Sequence, residues 1–300
     1  MPAEQIKNKP GRWHIAILIL ALILMVIIVV VLQKRSLGPN VPVANQTSQQ
    51  PINIGVHIND SPGFSALHDG QRNGFDIDLA NYIAEGLGRH PNFVPITVDS
   101  RDQQLKEGYV DMVVSTYSIT DERIKGGIIF AGPYLRTDQG ILVMQENSTI
   151  RSINDLAGQT VCVSKGSTSA KKLDELKKSV ALVSTERDTL TQCIDDMKNP
   201  TTGVAAITSD TAVLQGYARA DKSLKFLPGL TVPGTYEKYG IGLSKNNMEL
   251  CHKTATLLKH FVNTQWNAAF NANLQAADGS NATELKPDPS TIDIESCRTN

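Results

Sequence analysis

Apolar and polar positions change their period several times along the chain. Residues 15–32 are unbroken Ile, Leu, Val, Ala and Met. Beyond a polar stretch, residues 52–56 (INIGV) read as a strand, and Asp60-Ser61-Pro62-Gly63 as a turn. A helix opens at Gly74-Phe75-Asp76, with Leu79, Ile83 and Leu87 on one face and Gly88 placed to end it. Residues 93–98 predict a strand, 101–107 a short helix, 112–114 a buried strand and 139–144 another. The theme then restarts. A strand at 160–163 and a loop at Lys165-Gly166-Ser167-Thr168 lead into a helix at 169–178 striped by Leu173 and Leu176. A strand at 180–184 precedes a helix striped by Leu190, Cys193, Ile194 and Met197, which breaks at 199–203. A strand at 204–208 runs to Asp210, which starts the next helix, and a strand at 239–244 leads to helices from 248 to 274. This alternation predicts two α/β units with mainly parallel sheets covered by helices.

The run at 15–32 is long enough to cross a bilayer core. Lys7, Lys9 and Arg12 precede it, and Lys34 and Arg35 close it. A cleaved secretion signal is the competing reading, but such signals are shorter and end in a small-x-small site, whereas Ala44 has proline three positions before the cut. The expectation is an uncleaved transmembrane signal anchor in the cell membrane. Residues 1–14 would be a cytoplasmic stub, and 33–51, poor in apolar residues, a flexible linker to an extracellular C-terminal part.

Length and composition narrow the choices. Three hundred residues can hold two modest lobes or one large domain. A net charge of −1 gives no reason to expect nucleic acid, and an aromatic share of 5% disfavours a stacking surface for bases or long sugars. Four cysteines fit an exported protein with two disulfides, and allow three pairings. Pairing by region, Cys162 with Cys193 and Cys251 with Cys297, is the simplest. There is no C-x-x-C and the histidines do not cluster at ligand spacing, so neither a metal site nor a cofactor is expected.

Residues 110–134 carry the chemistry. Met112-Val113-Val114 runs into a polar corner, Ser115-Thr116-Tyr117-Ser118, and then into a short helix. Thr120 is placed to cap that helix, with Asp121 and Glu122 in its first turn, where acids suit the dipole. Arg123 sits beside the corner. Hydroxyls and free backbone groups next to a guanidinium suit a small carboxylate, which arginine can meet with two parallel hydrogen bonds.

This segment resembles the first-lobe signature of the family 3 solute-binding proteins, which bind polar amino acids and share their fold with the ligand cores of ionotropic glutamate receptors. The resemblance rests on Ser118-Ile119-Thr120-Asp121-Glu122-Arg123 and Phe130-Ala131-Gly132-Pro133-Tyr134, on residues 74–80 (GFDIDLA) and on 239–243 (YGIGL), in the family's order over about residues 52–275. The family often has proline where this chain has Asp121. The resemblance implies a two-lobed periplasmic binding protein type II fold. Lobe 1 would be 52–141 plus 239–300, lobe 2 would be 142–238, and the hinge would lie near Leu142 and Tyr239. It implies that Cys251–Cys297 pins the tail, as a bridge near the end of glutamate-receptor cores does.

It also implies a site beyond the carboxyl ends of the strands. Arg123 and Ser118 would hold the α-carboxylate, and the Thr116 carbonyl and Asp210 the α-ammonium. Ser167 and Thr168, at a helix start, would be the second lobe's contribution. Phe64 matches the position whose ring packs on the ligand. The wording of 189–196, 205–217 and 239–244 is close to actinobacterial glutamate-binding proteins, which carry a basic residue where this chain has His57. Arg72 and Lys165 are other nearby bases. A base reaching the pocket would favour an acidic side chain, and a neutral His57 an amide one.

The implied function is extracellular binding of a free L-amino acid, glutamate or an acidic or amide relative. Hinge closure would deliver the ligand to the permease of an ABC importer, the soluble part acting as a monomer. The alternatives are a membrane-tethered sensor reporting to a partner protein and, more remotely, a dehydratase-like enzyme on the same fold. No catalytic acid stands out apart from Asp210.

Overall fold

Two α/β layers are joined through a single long strand. The structure, a computed structural model, describes residues 50–146, 149–232, 236–275 and 282–299, together with Met25. The expected membrane anchor at 15–32 and its stub thus lie, but for Met25, outside the described residues. Among the described residues no helix is long and apolar enough to cross a membrane.

The chain enters through β1 (Pro51–His57), which takes up the last residue of the expected linker. It continues through the hairpin β2 (Ala66–His68) and β3 (Gln71–Asn73), α1 (Phe75–Gly86), β4 (His90–Ile96), α2 (Arg101–Lys106), β5 (Met112–Val113) and α3 (Asp121–Lys125) to β6 (Ile128–Met144). The second layer adds β7 (Thr160–Ser164), α4 (Thr168–Leu176), β8 (Val183–Arg187), α5 (Leu190–Lys198), β9 (Val204–Asp210), α6 (Thr211–Ala220) and β10 (Leu224–Phe226). The chain returns through β11 (Tyr236–Ser244) to α7 (Met248–Thr264), α8 (Trp266–Asn273), α9 (Ala282–Leu285) and α10 (Pro289–Glu295).

The strand order is β4-β1-β5-β11-β6-β9-β7-β8, with β10 also on β6. β1 runs parallel to β4 and β5, and β7 parallel to β8 and β9, whereas β6 and β11 are antiparallel to their neighbours. β6 pairs with β11 up to Asp138 and with β9 from Gln139 onward, so it changes sheets a little before the expected crossing at Leu142.

Two elements differ from the sequence reading. The segments around Phe130–Tyr134 and 139–144, read as separate strands, are one strand of 17 residues. The residues between them, Leu135–Asp138, pair with Tyr239–Tyr236 of β11 and carry the strand through; Gly132-Pro133 falls where the register with β11 shifts between Tyr239 and Ile241. There the N–H that proline lacks has no ladder partner to miss, and the Gly132 N–H goes to Ser296 Oγ at 3.0 Å. β8 begins at Val183, later than the expected 180, because Val180 and Leu182 are buried in the second lobe's core and the ladder forms only after them.

One apolar cluster runs from the first layer into the second, and a smaller one lies within the second layer. In the first, Phe75 meets Trp266 edge-on at 5.6 Å and Phe261 at 6.0 Å, and the Trp266 indole donates to Tyr134 O at 2.7 Å. Buried aromatics of this kind contribute about 1.5–3 kcal/mol each. In the second, Val161, Leu173 and Ala206 pack around Ile141 and Val143 of β6. The disulfides are Cys162–Cys193, tying β7 to α5, and Cys251–Cys297, tying the tail to α7.

Candidate functional site

The carboxyl ends of β1, β5, β7 and β9 open on one cavity of about 60 Å³ between the two layers. At roughly 10–15 Å³ per water this is room for about four to six waters, the scale of one free amino acid. Of the residues expected in the site, His57, Thr116, Ser118, Ser167, Thr168 and Asp210 line it. Arg101 lines it too, although the sequence reading placed it only in a short helix.

The first-lobe wall is held from behind. Thr116 has a positive φ of 43°, a conformation a β-branched side chain adopts only under constraint. The constraint is Asp76, fully buried at the start of α1, which accepts from Thr116 N at 2.8 Å and from the Tyr134 hydroxyl at 2.9 Å. Burial pushes the Asp76 carboxyl up to about 7. Thr116 Oγ1 lies 2.8 Å from His57 Nε2. Burial, with Arg101 and Arg72 nearby, drives His57 down to about 3, so it is neutral at physiological pH. The Thr116 carbonyl, expected to meet an ammonium, faces Arg101 Nη1 at 3.4 Å.

Arg101 is only 3% exposed. Its Nε donates to Val98 O at 2.9 Å and its Nη1 to Ser115 O at 2.8 Å, and its guanidinium lies 4.5 Å from the centre of the Tyr117 ring. Burial and the neighbouring Arg123 lower it to about 10, which leaves it cationic. Among the described residues no carboxylate stands within ion-pair distance of it. Buried charges are ordinarily paired.

Arg123 is not on the cavity wall. Thr120 caps α3 as expected, accepting from Arg123 N at 3.3 Å. The Arg123 guanidinium lies 4.6 Å from the centre of the Tyr117 ring, donates to Ser118 O at 2.7 Å, and reaches Gly166 O of the second lobe at 3.4 Å. It thus stands behind the corner where Ser118 Oγ and Thr168 Oγ1 approach to 3.4 Å. Phe64, expected against a ligand, is instead fully buried in the first-lobe core, edge-on to Phe75 at 6.5 Å and Tyr239 at 6.1 Å. Arg72 is turned to Ser65 Oγ and Ile58 O, and the half-exposed Lys165 to Asp99 at 3.4 Å, so neither lines the cavity.

The second-lobe wall is made of helix starts. Ser167 caps α4, accepting from Ala170 N at 3.0 Å, and with Thr168 and Ser169 brings the start of that helix to the cavity. Asp210 stands at the cap position of α6 but makes no cap bond with its side chain. One carboxylate oxygen instead accepts from the Tyr239 hydroxyl at 2.5 Å, and the other is buried without a partner. Burial and the nearby Glu237 push the Asp210 carboxyl well above its usual range. An unsatisfied buried acceptor on a cavity wall is suited to a cationic donor.

A buried cation on one wall and an orphaned acid on the other describe a site for a zwitterion. The family profile of the bacterial extracellular solute-binding proteins, family 3, matches residues 52–276. The chain belongs to that family. Among its relatives in the family, the glutamate-binding protein GluB of Corynebacterium glutamicum is 31% identical over 210 residues, 66% of this chain and 69% of that protein. The glutamine-binding protein GlnH of an ABC transporter in Bacillus subtilis is 31% identical over 201 residues, 66% of this chain and 70% of that one. These relatives are solute-binding proteins, not enzymes. Among solved structures, an ancestral arginine-binding protein bound to glutamine superimposes with a TM-score of 0.67 at 28% identity, covering 75% of this chain and 98% of that one. The family 3 fold also recurs in the L-cysteine receptor of Neisseria gonorrhoeae, with a TM-score of 0.71 at 23% identity over 79% of this chain and 96% of that one.

Proposed function

We propose that this family 3 receptor binds free L-glutamate, or a close acidic or amide relative, and delivers it to an ABC importer while tethered to the membrane by residues 15–32. One observation carries the choice of an acidic ligand. Arg101 is a buried cation on the cavity wall with no carboxylate partner among the described residues, and a ligand carboxylate would supply one. The ligand's α-carboxylate fits the corner formed by Ser118, Thr168 and Arg123, with the guanidinium leaving Gly166 O to reach it. The α-ammonium fits the free oxygen of Asp210. The side chain then runs towards Arg101 and the neutral His57. GluB and GlnH, named for glutamate and glutamine, lend support to an acidic or amide side chain over a basic one.

Calorimetry against L-glutamate and L-glutamine tests this. Wild type is expected to prefer glutamate. Arg101→Met is expected to lose about 100-fold for glutamate, on the order of 3 kcal/mol, and much less for glutamine. Equal losses for both ligands would remove Arg101 from side-chain recognition, and binding of neither would sink the ligand choice.

A further inference from the structure

Gly216 is at odds with its place in α6. It is buried inside a helix, where alanine would serve the helix better. The reason lies across the cleft. A Cβ on Gly216 would stand 2.1 Å from the carbonyl oxygen of Pro62, and the obstacle is backbone, which cannot step aside as a flexible side chain could. Pro62 belongs to the turn that leaves β1, on the first lobe. The next residue of α6, Tyr217, donates its hydroxyl to Asp60 O in the same turn at 2.7 Å, and both of these residues line the cavity. Further along, Arg219 Nη1 donates to Leu274 O at 3.0 Å, just beyond α8, where a cation suits the helix end. One edge of one helix, at Gly216, Tyr217 and Arg219, therefore meets the first lobe at successive points.

We propose that this edge of α6 is the seat on which the first lobe docks when the lobes shut, and that Gly216 sets ligand affinity by admitting Pro62. The proposal rests on the reading of the protein as a receptor that closes on an amino acid. α6 starts at Asp210, the residue that reading assigns to the ligand's ammonium, so a single rigid element joins the grip on the ligand to the contact between lobes. In a receptor that must close, apparent affinity includes the closing equilibrium. A wedge at the seat therefore costs affinity without touching a ligand-lining side chain.

Gly216→Ala in the full chain tests it, with L-glutamate and L-glutamine as probes. A donor–acceptor dye pair at the exposed Glu107 and Lys178, one on each lobe, reports closure. The variant is expected to bind about tenfold or more weakly and to show a longer dye-to-dye distance. Its melting temperature without amino acid should be unchanged or higher, because alanine favours the helix. Opposite signs in affinity and stability are what a purely structural role would not give. An affinity within about twofold of wild type together with coincident distance distributions would overturn the proposal. If wild type binds neither amino acid, the functional reading fails, while the dye distance still decides: a longer distance in the variant supports the seat and an equal one sinks it. If Gly216→Ala melts far below wild type, Tyr217→Phe decides in its place. It adds no bulk and removes the hydroxyl that bonds Asp60 and also meets Thr191; because Tyr217 lines the cavity, the dye distance alone decides, a longer one supporting the seat and an equal one overturning it.

Discussion

The two walls of the cavity are built in different ways. The first-lobe wall is a set of strand ends braced by buried polar groups: Asp76 holds Thr116, Thr116 holds His57, and Tyr117 carries Arg101 and Arg123 on its ring. Thr116, His57 and Arg101 are held in place by their neighbours, at the cost of burying charge. The second-lobe wall is two helix starts, at Ser167 and Asp210, held by shorter-range bonds, Ser167 Oγ to Ser164 O at 2.7 Å and the Tyr239 hydroxyl to Asp210. The first wall is organised to recognise a ligand, and the second to complete it. In the proposed closing receptor, charge held in place on one side would be met by helix starts on the other.

This contrast can be broken at either wall. The largest effect is expected from Arg123→Ala, behind the braced wall. Loss of the guanidinium behind Ser118 and Gly166 should cost most of the binding, about 100-fold, with the far-ultraviolet circular dichroism spectrum unchanged. Calorimetry that finds affinity intact would take the carboxylate away from this corner. Asp210→Asn should cost less, about tenfold to fiftyfold, and it carries a signature in pH. The Asp210 carboxyl titrates well above its usual range, and only its ionised form attracts the ammonium. Wild-type affinity should therefore fall as the pH is lowered from mildly alkaline towards acid, and the variant's weaker affinity should fall less, by the share that Asp76 behind Thr116 contributes. A wild-type profile without that acid limb would mean that Asp210 does not meet the charge. The smallest effect is expected at the rim, where Lys171 of the second lobe pairs with Glu122 of the first and both are exposed. Exposed pairs contribute roughly 0–1 kcal/mol, so Lys171→Ala should change affinity by less than about fivefold. The change should vanish in high salt, and a salt-independent loss would mean that the pair works as something other than a surface ion pair.

The elements that depend on local signals were legible from the sequence. Thr120 caps α3, where a threonine oxygen before two acids suits a helix start, and Asp210 ends β9 and leads directly into α6. The polar corner with Arg123 could be read for the same reason, since its parts adjoin in the chain. What stayed hidden depends on neighbours distant in sequence. Arg101 looks like any charged residue opening a short helix. Its burial is decided by the carbonyls of Ser115 and Thr116 and by the Tyr117 ring. Phe64 matched a position expected to face a ligand, yet Phe75 and Tyr239 draw it into the core. The gap between Tyr134 and Gln139 disguised a continuous strand, because only the pairing of Leu135–Asp138 with β11 carries the strand through it.

That continuous strand, β6, serves two hydrophobic cores at once. Severing it would leave each half with an unpaired edge and a missing centre, so the halves cannot be made as independent pieces and mixed. Reporter insertions belong in the exposed turns, such as those at Gly88 or Gly203, where left-handed glycines already bend the backbone and a graft would leave both cores whole.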